Sequence, residues 1–155
     1  MKIVLTRVNI EEKNILYRLL EYSLFEESLY DGNEMNNEGI FEYRYFDSYF
    51  TDKTRAAFFI KDESTDKLLG FVMINTYVQK KSEGHSIAEF MIIPKYRRKN
   101  IGKSVAIQCF NMYKGNWEVS PSLNSDSAYK FWKKVISEYT NNKYEFEDRI
   151  FFFNI

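Results

Sequence analysis

Apolar and polar positions change period several times along this chain, and each change marks an element. Ile3 to Val8 alternates loosely and predicts a strand. Glu11 to Tyr22 carries Ile15, Leu16, Leu19 and Leu20 at helical spacing, and Asn9 followed by Glu12 has the pattern of a capping box. Asp31 to Gly39, with Gly32, Asn33, Asn36 and Asn37, reads as a polar loop. Phe41 to Phe50 is dense in aromatics and is expected to be helical, although its period is ambiguous. Arg55 to Lys61 and Leu68 to Tyr77 read as strands joined by the turn-like segment Asp62–Lys67, a hairpin. After a second polar turn, Lys80 to Gly84, the strand His85 to Ile93 has apolar residues on both faces, as a central strand should. Ile101 to Tyr113 reads as a helix with the stripe Ile101, Val105, Cys109 and Met112, stopped near Gly115. A short strand, Asn116 to Val119, precedes a helix from Ser125 to Tyr139 that turns Ala128, Phe131, Trp132 and Val135 inward. Tyr144 to Glu147 and Ile150 to Asn154 read as terminal strands. No repeat or linker interrupts the order, which predicts one domain over residues 1–155: an α/β (α+β) mixed sheet with helices on both faces.

Charge and composition narrow the partners. Formal net charge is zero, so nothing global attracts nucleic acid or an anionic membrane. A single cysteine forbids an internal disulfide, and no apolar run has the length of a membrane span. With no signal-peptide pattern at the N-terminus, a soluble cytoplasmic protein is expected. Locally the charges separate. Leu19 to Asp52 holds Glu21, Glu26, Glu27, Asp31, Glu34, Glu38, Glu42, Asp47 and Asp52 against the lone Arg44. Lys95 to Lys103 holds Lys95, Arg97, Arg98, Lys99 and Lys103 with no acid. One region suits a cation and the other an anion.

The basic stretch is the most informative. An apolar strand runs into Pro94, a short basic loop follows, and a helix starts near Ile101. The first amides of a helix lack intrahelical partners and carry partial positive charge, so strand, cationic loop and helix start together form a diphosphate cradle.

With those residues in place, the chain resembles the GNAT superfamily of acyl-CoA-dependent N-acyltransferases over nearly its whole length. The family's signature runs Gln or Arg, two residues, Gly, one residue, Gly or Ala. Arg97, Arg98, Lys99, Asn100, Ile101 and Gly102 occupy those places, with Asn100 where the first glycine stands. Asn is the side chain most tolerant of the left-handed conformation such a loop needs. The resemblance implies a mostly antiparallel sheet of about seven strands and acetyl-CoA as acyl donor. It implies that the backbone of Phe90, Met91 and Ile92 binds the pantetheine arm, and that the loop and helix start, through Lys103 and Ser104, hold the diphosphate. Downstream, Asn124-Ser125-Asp126-Ser127-Ala128-Tyr129-Lys130-Phe131-Trp132 resembles the family's other cofactor-side helix. Asn124 and Trp132 are the cofactor-binding positions there, and Trp132 stands where the family often places a tyrosine acid.

The implied reaction is direct attack of a primary amine on the donor's acetyl group, and it needs a base. An alkyl ammonium with a pKa near 10 is only about 0.1% neutral at pH 7. Glu89, the lone carboxylate of Ile87-Ala88-Glu89-Phe90-Met91-Ile92-Ile93, is the candidate base, its pKa raised by burial; its alternative is a structural carboxylate held by a neighbour. Tyr129 is the candidate acid, with Tyr139 and Ser125 behind it; solvent protonation of the thiolate would need none. His85, the only histidine, is expected at the surface, and Cys109 in the core. One Cys and one His leave no zinc site of that type, and no metal is expected. The acidic, aromatic segment (Tyr22, Phe25, Tyr30, Phe41, Tyr43, Tyr45, Phe46) suits a small cationic amine over a protein lysine. A non-catalytic acyl-CoA-binding module is the alternative, a longer-chain or aminoacyl-tRNA donor a third reading, and a homodimer is compatible with the fold.

Overall fold

A computed structural model describes residues 1–155. Its strands are β1 (Ile3–Arg7), β2 (Arg55–Asp62), β3 (Leu68–Asn75), β4 (His85–Ile92), β5 (Asn116–Val119), β6 (Glu145–Glu147) and β7 (Ile150–Asn154). Its helices are α1 (Lys13–Asp31), α2 (Ile101–Met112) and α3 (Asp126–Thr140). The seven strands form one sheet in the order β1-β2-β3-β4-β5-β7-β6. Every neighbouring pair is antiparallel except β4 and β5. This is the mixed, mostly antiparallel sheet expected from the alternation of periods. No helix is long and apolar enough to cross a membrane.

Burial divides the core into two layers. Leu16, Leu20 and Leu24 of α1 pack with Phe41, Phe46, Tyr49, Phe59, Phe71 and Met91 on one face of the sheet. Val105, Cys109 and Phe110 of α2 and Trp132, Val135 and Ile136 of α3 pack with Trp117, Phe151 and Phe153 on the other. Two residues placed on core stripes lie outward: Ile15 is 38% exposed and Met112 40%. Ile15 stands at the edge of its stripe, and Met112 is the last residue of α2.

Two stretches differ from the sequence expectation. α1 continues well past Tyr22, because Ser23 and Leu24 are still buried against the sheet; Gly32, left-handed at φ 75°, ends it. Phe41–Phe50 is not a regular helix but an irregular segment closing in a short 3-10 turn, Asp47–Phe50. Its aromatics Phe41, Phe46 and Tyr49 are all buried on the α1 face. Their uneven spacing cannot be met by one helical stripe. The segment is hung on α1 by the Phe41 amide, which donates to Glu21 Oε1 at 2.8 Å.

Two features of β4 open the sheet. Met73 pairs with Glu89 but Ile74 with Ile87, so Ala88 is an extra, bulged residue. Pairing with β5 covers only His85, Ser86 and Ile87, leaving no strand beside Phe90–Ile92 on that edge. On the other edge β3 comes so close that a Cβ on Gly70 would collide with the Met91 carbonyl oxygen. The β3–β4 loop folds over β5, where buried Glu118 accepts from the Gln79 and Lys80 amides at 2.8 and 2.6 Å.

Candidate active site

The gap between β4 and β5 is a cleft of about 760 Å³. Phe90, Met91 and Ile92 line it from β4, Arg97, Arg98 and Asn100 from the loop, and Ile101, Gly102 and Lys103 from the start of α2. α1 adds Ser23, Glu26, Glu27, Leu29 and Tyr30, and α3 adds Phe131, Trp132 and Lys134. The cleft thus joins the basic loop to the acidic end of α1 through the opening in the sheet.

The loop is built to leave amides free. Arg98 at φ 63° and Asn100 at φ 60° are both left-handed, and Asn100 is the residue before the first turn of α2. Its side chain makes no cap hydrogen bond, and the first turn holds no acid. A helix stabilising its own N-terminus would carry a cap and a carboxylate there. α2 instead presents unpaired amides and Lys103 to the cleft. A Cβ added to Gly102 would stand 3.0 and 3.1 Å from two ring atoms of Phe131, so a side chain here would press on that ring. Phe90, Phe131 and Trp132 form an aromatic wall, with the Phe90 ring 5.1 Å from Trp132 and Phe131 5.0 Å from it. Free strand edge, uncapped helix start and apolar wall fit an extended apolar arm ending in a diphosphate.

The cations divide by role. Arg97 does not face an anion from solution: its guanidinium grips Glu26 of α1 bidentately at 2.7 and 2.9 Å, while its Nε donates to the Ile92 carbonyl at 2.8 Å. It fastens the loop to α1 and to β4, and the ion pair holds the Glu26 carboxyl below its usual range. Lys103 pairs with Glu138 at 2.7 Å. Arg98 and Lys134 line the cleft without a salt bridge and are the cations free for phosphate. Lys134 was not among the residues predicted for this role. Lys99 and Ser104 lie outside the cleft lining; Lys99 stands over the Tyr96 ring, and Ser104 Oγ accepts from Gln108.

Glu89 sits on the bulge, on the α1 side of the sheet, and its Oε1 is buried without a hydrogen-bond partner. Burial first, then the charges of Glu27 and Asp31, hold its pKa well above the ordinary carboxylate value. Around it stand Tyr43 and Tyr49 from the irregular aromatic segment. Both phenols are raised by burial, with Glu89 adding to each.

Of the other predicted acids, the two tyrosines lie elsewhere and Ser125 lines the cleft. Tyr129 packs on the β6–β7 hairpin, its ring centroid 5.2 Å from Phe146 and 5.6 Å from Phe151, and does not line the cleft. Trp132, one helical turn further on, packs instead on Phe90 at the cleft. Tyr139 donates to Asn111 on α2, remote from the cleft. Ser125 caps α3, accepting from the Ala128 amide at 3.2 Å. Asn124 donates to the Tyr30 carbonyl at 3.1 Å, tying the β5–α3 loop to α1 rather than lining the cleft. His85 is half-buried, stacked on Tyr113 with centroids 4.2 Å apart, rather than at the surface. Cys109 is buried in the α2 core.

Comparisons with known proteins agree with this fold. The family model described as the acetyltransferase (GNAT) family matches residues 21–135. No curated protein matches the chain. Among solved structures, the chain is similar to an acetyltransferase from Thermus thermophilus, at 13% identity and TM-score 0.71, covering 100% of this chain and 98% of that one. It is also similar to the PaiA N-acetyltransferase from Thermoplasma acidophilum in complex with coenzyme A, at 16% identity and TM-score 0.62, covering 100% of both. A third is the aminoglycoside antibiotic 6′-N-acetyltransferase AAC(6′)-Ih from Acinetobacter baumannii, at 10% identity and TM-score 0.60, covering 86% of this chain and 89% of that one. At such identities the structural likenesses speak for the fold, while the family match spans well over half of the chain. The chain belongs to the acetyltransferase (GNAT) family and is an acetyl-CoA-dependent N-acetyltransferase.

Proposed function

We propose that the protein transfers the acetyl group to a small cationic primary amine, with Glu89 as the base. The observation that carries this reading is the buried, unpartnered Oε1 of Glu89, which does not itself line the cleft but directly precedes Phe90–Ile92, which do. When bound, acetyl-CoA supplies a thioester whose C–S bond breaks as the C–N bond to the acceptor forms, giving an amide and a thiolate that is reprotonated. Phe90–Ile92 and the start of α2 would hold the donor, with Arg98 and Lys134 beside its phosphates. Glu89 accepts the proton that the ammonium must lose, directly or through one water. Its raised pKa brings it nearer the working pH, where a base is most effective. Tyr43, Tyr49 and Glu27 surround the amine with phenol and carboxylate oxygens. Nothing on the cleft lining is assigned as an acid; Trp132 has no proton to give at neutral pH. The non-catalytic alternative rested partly on Asn100, and Asn100 takes the left-handed conformation a glycine would.

A panel of acceptors at saturating acetyl-CoA, read by free-thiol release and product mass, tests the proposal. Turnover is expected with cationic primary amines and absent with neutral alcohols and anionic acceptors. Activity confined to neutral or anionic acceptors would overturn it.

A further inference from the structure

The core face of α1 changes character along its length. Leu16, Leu20, Leu24, Glu27 and Asp31 fall within an arc of roughly 80° at about 100° per residue, so the stripe is apolar for two turns and then acidic. The acidic part begins at Glu27, which lines the cleft with Phe90–Ile92. Glu26 has Arg97, but Glu27, Asp31 and Glu89 have no salt bridge. Glu27 has a single 3.4 Å contact from Ser122 Oγ. Asp31 accepts only from Asn33, at the backbone amide and at Nδ2.

The helix itself opposes this arrangement. The C-terminal end of a helix carries partial negative charge and is stabilised by cations. The last turn of α1 contains no basic residue. Glu27, its pKa raised by burial and by Asp31, adds to the excess. The buried Oε1 of Glu89 faces the same cluster with no partner. The carboxylates are also too dispersed for any three to share one metal ion. An extended organic cation meets all of these conditions.

We propose that the acceptor is an aliphatic di- or polyamine, with one amine presented to Glu89 as nucleophile and a second ammonium held at the C-terminal end of α1 by Glu27 and Asp31. The proposal rests on the acetyl-transfer reading above for the first amine. Glu27, on the sheet-facing side of α1, lines the cleft, so a short flexible chain entering there can carry its second ammonium to this end of the helix.

The experiment compares 1-aminobutane with 1,3-diaminopropane, 1,4-diaminobutane and 1,5-diaminopentane at constant ionic strength. It uses the wild type, Glu27→Gln and Asp31→Asn, variants that keep the shape of each side chain. A charge-assisted contact makes kcat/KM for the best diamine at least about tenfold higher than for 1-aminobutane. Each variant lowers the diamine value more than the monoamine value. A thermal melt without acetyl-CoA gives the second reading. The best diamine raises the wild-type unfolding midpoint more than 1-aminobutane does, and both variants shrink that difference. Equal behaviour of mono- and diamines in both measurements, or equal losses for both in the variants, overturns the proposal. Selective diamine stabilisation with no thiol released from any amine keeps the dication site and refutes the acetyl-transfer reading instead.

Discussion

Gly102→Asp abolishes acetyl-CoA binding while leaving the fold intact. Gly102 lies in the first turn of α2, where the amides are uncapped and no carboxylate is present. Aspartate would place a negative charge among donors meant for a diphosphate, a like-charge juxtaposition that costs several kcal/mol. Its Cβ would also press on the Phe131 ring from 3.0 Å and drive it toward the pantetheine path. A loss of roughly 100-fold or more in affinity is expected by titration calorimetry. Gly102→Ala separates the two effects: the obstructing atoms belong to a ring that can turn, so the loss is smaller. An unchanged dissociation constant for Gly102→Asp would remove the helix start from the donor site.

Glu89→Gln keeps donor affinity and lowers kcat by about 100-fold or more with the best amine. The variant retains the size of the side chain and loses only its capacity to take a proton. The pH profile supplies the second reading. Glu89 has a raised pKa, so in the wild type it is protonated and inactive below that value and charged above it. The acid limb of kcat/KM therefore lies above the ordinary carboxylate range, and activity grows with pH as Glu89 and the amine both lose protons. A bound ammonium favours the charged carboxylate, so the corresponding limb of kcat lies at lower pH. The variant lacks the limb. Retention of both rate and limb would assign the proton transfer to another group.

The loop side of the cleft was legible because it is local. Strand, Pro94, basic loop and helix start are contiguous, and their periodicity places Phe90–Ile92 and Gly102 on one cleft without knowledge of distant residues. Asn100 could be read as left-handed from its residue type alone, and it stands at φ 60°. The roles of the cations were not legible. Arg97 is held by Glu26, 71 residues earlier, and Lys134 reaches the cleft from another helix. Tyr129 was a candidate acid, but its ring packs on the β6–β7 hairpin while Trp132 lines the cleft. Tyr43 and Tyr49 flank Glu89 through an irregular segment with no period to read. Glu118, buried under the β3–β4 loop, gave no signal because its partners are backbone amides nearly 40 residues away in sequence.

Two helix ends carry the logic of the site, each charged against its own stability. α2 begins without a cap and with lysine in its first turn; α1 ends among carboxylates with no base. In the proposed reading each deficit would be met by a ligand of opposite charge, an anionic donor at one end and a cationic acceptor at the other, with the β4 edge that has no β5 partner between them. Amide hydrogen exchange with and without acetyl-CoA tests this arrangement most directly. Protection is predicted in peptides covering residues 88–104, where β4 lacks a strand partner and α2 starts, with ATP giving less. Unchanged exchange across 88–104, or protection confined to the cavity formed by Leu123, Tyr129, Phe146 and Arg149, would contradict the account.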